Sequence, residues 1–154
     1  MALVCFERRP SLPLAAHGDT AWYSVARLLG WRSGEMKYRS VARRARRLGV
    51  SIERLLAEIE GHASTILSIR MHSRGDALAE KLGALKALLA LLAADRVHLV
   101  LDHGLIPCRE DEATRLVHAA SLRFASSSRT RGIQLADIAA GACMDAGLCT
   151  RSEC

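Results

Sequence analysis

The sequence predicts an α/β fold, a mixed sheet flanked by helices. Three observations predict it. Short apolar runs with strand periodicity alternate with longer stretches of helical spacing, the pattern of strands and helices sharing one core. Glycine follows four of the helical stretches, at Gly30, Gly49, Gly61 and Gly147, where a chain leaving a helix needs conformational freedom. The chain has 154 residues, half of them hydrophobic, enough for one domain with a sizeable core.

Residues 2–6 form an apolar run, read as a strand and broken by Pro10 and Pro13. Asp19 is placed as N-cap of a helix over 20–29. Residues 31–37 are read as a loop and 38–48 as a helix. Ser51 then caps a helix over 52–60. From 65 to 71, Leu67, Ile69 and Met71 alternate with Ser68 and Arg70, which predicts a strand. A turn at 73–76 leads, with Asp76 as cap, into a long helix reaching Ala94 along a leucine stripe from Leu78 to Leu92. The run 96–101 is nearly all apolar and is expected to be a central strand. A loop at His103, Gly104 and Pro107 follows. Residues 110–120 are expected to be helical, 122–125 a strand, 126–128 a polar loop and 134–146 the last helix. One domain over 1–146 and a loose tail over 147–154 result.

Composition narrows the function classes. Six aromatic residues are too few and too scattered for a base-stacking platform. Five cysteines, Cys5, Cys108, Cys143, Cys149 and Cys154, include no C-x-x-C pair and read as reduced thiols. Arg8, Arg9 and Pro10 interrupt any signal peptide, and the longest apolar run is too short to span a bilayer. A cytoplasmic protein without membrane association is expected. The net charge is +6 and lopsided: residues 1–60 carry 11 Lys/Arg against 6 Asp/Glu, the remainder 11 against 10. The excess peaks at Arg39, Arg43, Arg44, Arg46 and Arg47. Such a face suits a polyanion, though a merely solvated helix face would look the same.

Three constellations carry possible chemistry. Asp102 ends an apolar strand, at the sheet edge where α/β proteins place ligands. Asp137 lies among small and apolar residues at a helix start, and Glu35 sits in a loop before the basic helix. Three acids from three elements suit Mg²⁺ or Mn²⁺, which take oxygen ligands. Each also has a plain structural role: Asp102 capping a loop, Asp137 facing a helix N-terminus, Glu35 in solvent. The second constellation is residues 41–56, with the rhythm of a helix-turn-helix. Ala45 and Leu48 would pack inward, but Glu53, Glu58 and Glu60 make the second helix a poor groove reader. The third is His103 beside Asp102, a proton shuttle or an ordinary loop histidine. No nucleophile elbow, P-loop or dinucleotide fingerprint is present.

The stretch Gly132-Ile133-Gln134-Leu135-Ala136-Asp137, after Ser126-Ser127-Ser128, resembles the C-terminal signature of the family known as domain of unknown function 3800. Gly34-Glu35-Met36-Lys37-Tyr38 resembles that family's G-E-[LIM]-K-[WY] element, and Val100-Leu101-Asp102 its acid-ended strand. Order and spacing agree over residues 20 to 145. The resemblance implies a ribonuclease H-like fold and an acidic site with Glu35, Asp102 and Asp137 as ligands of Mg²⁺ or Mn²⁺. It implies that Lys37 contacts a phosphate and that Gln134 orients Asp137 or nearby backbone. One departure is large: the family's opening strand, ending in D-E-S-G, has no counterpart, and only Glu7 or Asp19 is at hand to replace its aspartate. A missing strand would leave a sheet edge that another chain, in a homodimer for example, covers.

Two functions follow as expectations. One is a metal-dependent nuclease or related phosphodiesterase, with Glu35, Lys37, Asp102 and Asp137 catalytic and the five arginines binding nucleic acid. The other is a catalytically inactive family member that binds nucleic acid or oligomerises.

Overall fold

The computed structural model describes residues 1–6, 12–13, 16–70, 77–92, 96–148 and 150–151. Strands and helices alternate along the chain: β1 (Ala2–Cys5), α1 (Asp19–Leu28), α2 (Tyr38–Leu48), α3 (Ile52–Glu60), β2 (Thr65–Arg70), α4 (Ala77–Ala90), β3 (His98–Asp102), α5 (Glu110–Val117), β4 (Ser121–Ala125), α6 (Arg131–Asp145) and β5 (Thr150–Arg151). The mixed α/β class expected from the sequence is thus present. Two separate sheets form, however, rather than one. In the first, β2 lies between β1, antiparallel, and β5, parallel; in the second, β3 and β4 run parallel.

The strands pack against two helical cores. Ala2, Val4 and Phe6 pack on one side against the core of α1, α2, α3 and α6, built on Val25, Leu29, Met36, Val41, Leu55, Ile59, Leu135 and Ile138. Met1 and Leu3 point the other way, toward Leu85 and Leu88 of α4. This is the alternation of a strand buried on both faces. In β3, Leu99 and Leu101 join Leu85, Ala113 and Val117 in the second core, on the side of α4 and α5.

Local signals explain most element ends. Gly49 closes α2 in the left-handed conformation, at φ 69°, where its amide bonds to the Ala45 and Arg46 carbonyls. The Ser51 side chain accepts from the Arg54 amide and starts α3.

Several expectations need correction. Gly18, not Asp19, is the N-cap of α1; Asp19 is in the first turn and pairs with Arg131 at 3.0 Å. Leu48 is 53% exposed rather than packed inward, because the buried stripe of α2 runs through Val41 and Ala45. Strand β3 is not central: among the described residues it pairs only with β4. Helix α6 starts at Arg131, three residues early, which moves Asp137 out of the first turn. Within the tail, Thr150–Arg151 form β5. The turn at 73–76, the helix end at Ala94, and Glu7, Cys149 and Cys154 lie outside the described residues. Cys5, Cys108 and Cys143 are free thiols. No helix among the described residues is long and apolar enough to cross a membrane.

Candidate functional site

The loop before α2, the loop after β4 and the start of α6 meet at one buried side chain, Gln134. Its Oε1 accepts from the Trp22 indole N–H at 2.7 Å and from the Met36 amide at 2.9 Å. Its Nε2 donates to the Ser127 carbonyl at 2.7 Å. Only 4% of Gln134 is exposed, so these partners are what make its burial tolerable. Met36 is fully buried and anchors its loop, flanked by the half-buried Glu35 and the exposed Lys37.

Around this latch the structure gathers four of the residues expected from the sequence. Lys37 Nζ lies 2.9 Å from Glu35 Oε1 and donates to Ser127 Oγ at 3.0 Å. Asp102, at the C-terminal end of β3, accepts the Ser127 amide at Oδ1, 3.1 Å away. Asp137 accepts the Tyr38 amide at Oδ2, 2.8 Å away. Helix α2 has no acid in its own first turn and no side-chain cap. Asp137 therefore places a negative charge at the positive end of α2, not of its own helix. Each aspartate spends one carboxylate oxygen on these bonds.

The electrostatics are those of a single cation among acids. The Ser127 hydroxyl first, then the Lys37 ammonium, hold the Glu35 carboxyl below its ordinary range. Glu35 in turn raises the Lys37 pKa, and the charges of Asp137 and Asp102 act in the same sense. Ser127 joins the set through its amide, carbonyl and hydroxyl. The sequence signalled only a polar serine loop, and nothing local distinguishes Ser127 from its neighbours.

Asp102 and Asp137 both border a groove of about 720 Å³ between β1, β3 and α6. Their hard oxygen donors suit a hydrated Mg²⁺ or Mn²⁺, which is commonly held by one or two carboxylates, waters and substrate phosphates. Glu35 is turned to Lys37, and among the described residues no three of His, Cys, Asp and Glu group closely enough to hold a metal ion. Among the described residues the acids therefore do not make a closed cage of three or more ligands. Asp19 is tied to Arg131 and does not join. His103 is exposed, its ring tilted against Phe124 at 6.4 Å between centroids.

The basic helix divides. Arg39, Arg43, Arg46 and Arg47 are exposed. Arg44 is also exposed overall, but its guanidinium donates to the Leu29 and Gly30 carbonyls and lies 5.9 Å from the centre of the Trp31 ring. It thus ties the end of α1 to α2. Arg43, Arg44 and Arg47 share a shallow hollow with Trp31 and Ser40.

Comparison with family models, curated proteins and solved structures gives no match.

Proposed function

We propose that this chain is a nucleic-acid phosphodiesterase dependent on Mg²⁺ or Mn²⁺, built on a ribonuclease H-like arrangement of sheet and helices. The observation that carries this reading is the Lys37 ammonium set among Glu35, Asp102 and Asp137. A cation surrounded by three acids, beside a groove, is the charge pattern that phosphoryl chemistry uses.

Asp102 and Asp137 would hold the metal, with Glu35 joining them when substrate draws Lys37 away. The bound ion would supply an acidified water and stabilise the leaving oxygen. Lys37 contacts a phosphate oxygen. Glu35 and Ser127 keep its ammonium charged and aimed. Gln134 fixes the distance between the Lys37 loop and the Ser127 loop. Arg39, Arg43, Arg46 and Arg47 attract the sugar–phosphate backbone from α2, and Arg44 adds charge while holding the helix in place. Within this reading the protein acts in the cytoplasm.

Cleavage of end-labelled RNA and single-stranded DNA in the presence of Mn²⁺ tests the proposal. Asp102→Asn and Lys37→Ala are expected to lower the rate at least about 100-fold, the scale on which positioned charges act in catalysis. Salt-sensitive binding without cleavage by the wild type would overturn it. That result would favour the second reading, a non-catalytic nucleic-acid-binding domain. The structural bonds of Asp102 and Asp137 to loop and helix amides favour that reading, since both acids have work to do without a metal.

A further inference from the structure

The loop that follows α1 carries a half-buried tryptophan to the face of the basic helix. Gly30 adopts the left-handed conformation at φ 57°, and the Trp31 amide bonds back to the Ala26 carbonyl at 2.7 Å. The Trp31 side chain packs against the core of α1, α2, α3 and α6, and its indole N–H donates to the Gly34 carbonyl at 3.4 Å. Arg44, engaged by the Leu29 and Gly30 carbonyls, lies over the ring at 5.9 Å from its centre. The ring is thus held in place. Beside it, Ser40, Arg43, Arg44 and Arg47 follow one another at helical spacing on one face of α2. Together with Trp31 they line a hollow of about 280 Å³. Among the described residues no carboxylate borders this hollow, and no ion pair engages its arginines. Arg43 and Arg47 are exposed, one helical turn apart. Like charges at that spacing repel, and an anion between them relieves the repulsion.

We propose that this hollow holds one unpaired base of a single-stranded nucleic acid, stacked on Trp31, with the adjoining phosphate on Arg43 and Arg47. The chemistry selects the ligand. A flat aromatic ring beside guanidinium groups answers a flat base joined to a phosphate. The hollow lies near the lower limit for a small-molecule pocket, which leaves room for one base. A base within a duplex is stacked inside the helix and cannot enter. One ring is too little for a run of bases but enough for a single one. Fixing Trp31 beforehand also lowers the ordering cost of stacking. Trp31 is six residues from Lys37, so at most ~20 Å of extended chain separates them. A strand seated in the hollow can therefore reach the candidate site. This inference rests on the proposed nucleic-acid substrate, not on the metal, and adds a selection for single strands.

The test is binding, without metal, of an oligothymidylate of about 15 nucleotides, enough to cover a single-strand site. It is compared with an abasic oligomer of equal length, with a duplex of equal length and with thymidine monophosphate. The wild type is expected to bind oligothymidylate about tenfold more tightly than the abasic oligomer, the scale of one stacked base. Trp31→Ala should erase that difference and Trp31→Phe should keep most of it. Arg43→Ala and Arg47→Ala should weaken both oligomers alike, each lowering the salt slope by about 0.7. Equal affinity of the wild type for the two oligomers, or preference for the duplex, would overturn this inference and leave a nucleic-acid substrate standing. Thymidine monophosphate binding as tightly as the oligomer would assign the hollow to a free nucleotide and overturn it too. No binding of any of the four at low salt would overturn both this inference and the nucleic-acid reading.

Discussion

The half of the molecule built from α1, α2, α3 and α6 and the half built from α4, α5, β3 and β4 are held together differently. In the first, helices close on a core of fully buried side chains, and a polar latch at Gln134 ties three segments across more than ninety residues of sequence. In the second, a smaller core gathers around Leu85 and Ile106, beside a sheet that holds two strands among the described residues. The candidate site lies on the border. Glu35, Lys37, Gln134 and Asp137 come from the first half, and Asp102 and Ser127 from the second. Packing in the first half positions the charges, and the second half brings the strand-end acid to them.

Two glycines set the comparison at its sharpest. A Cβ on Gly141 of α6 would lie 2.1 Å from the Tyr38 ring, which packs directly on the helix backbone. Gly141→Ala should therefore cost about 3 kcal/mol or more, the upper end for overpacking a core, and lower the denaturant midpoint without changing the slope. A Cβ on Gly83 of α4 meets nothing within 4 Å. Gly83→Ala should stabilise the protein by about 0.5–1 kcal/mol, read in the same titration. Equal effects at the two sites would remove the contrast between a closely packed half and an open one.

Between these extremes lies Gln134→Leu. It leaves the Trp22 indole and the Met36 amide without their acceptor in a buried setting, and should cost about 2–3 kcal/mol. It should also loosen the Lys37 loop, visible as faster amide exchange at residues 35–38. Unchanged exchange there would separate the latch from the site.

A smaller effect is expected from Glu35→Gln, at most about 1 kcal/mol for a partly exposed ion pair. Its pH dependence has a fixed sign. The Glu35 pKa is held below its ordinary 4.5, so its contribution is full above that value and is lost as pH falls through the depressed one. The Lys37 pKa is raised above 10.5, so its contribution is full below that value and is lost as pH rises through the elevated one. Wild type and Glu35→Gln should differ in stability between about pH 5 and pH 10 and converge at acid pH. A gap that widens in acid would contradict the pairing.

What the sequence made legible follows the same division. The limits of α2 and α3 could be read directly, because Gly49 and Ser51 act within a few residues of themselves. The pairing of β3 with β4 alone, among the described residues, could not. The apolar run of β3 looks like that of a central strand, and pairing is decided by segments far away in sequence. Asp137 shows the limit most plainly. The residue stands out in the sequence as a lone acid among small and apolar residues, but the helix end it serves belongs to Tyr38, 99 residues distant. Arg44 presents the same difficulty: a charge run marks a basic face, and only tertiary structure reveals which arginine in it ties down the end of α1. The resemblance in motif order implies that Glu35, Lys37, Asp102 and Asp137 belong to one site, which no local pattern in the sequence decides. The part of Ser127 is not legible, because it depends on three contacts that no local pattern encodes.

The central claim is that Asp102 and Asp137 share a cation site beside Lys37, and calorimetric titration with Mn²⁺ tests it most directly. The account predicts one saturable site in the wild-type protein, strongly weakened in both Asp102→Asn and Asp137→Asn, while Asp145→Asn, which alters a carboxylate engaged by the Tyr38 hydroxyl, leaves it intact. No binding up to millimolar Mn²⁺, or binding that neither aspartate variant changes, would contradict it.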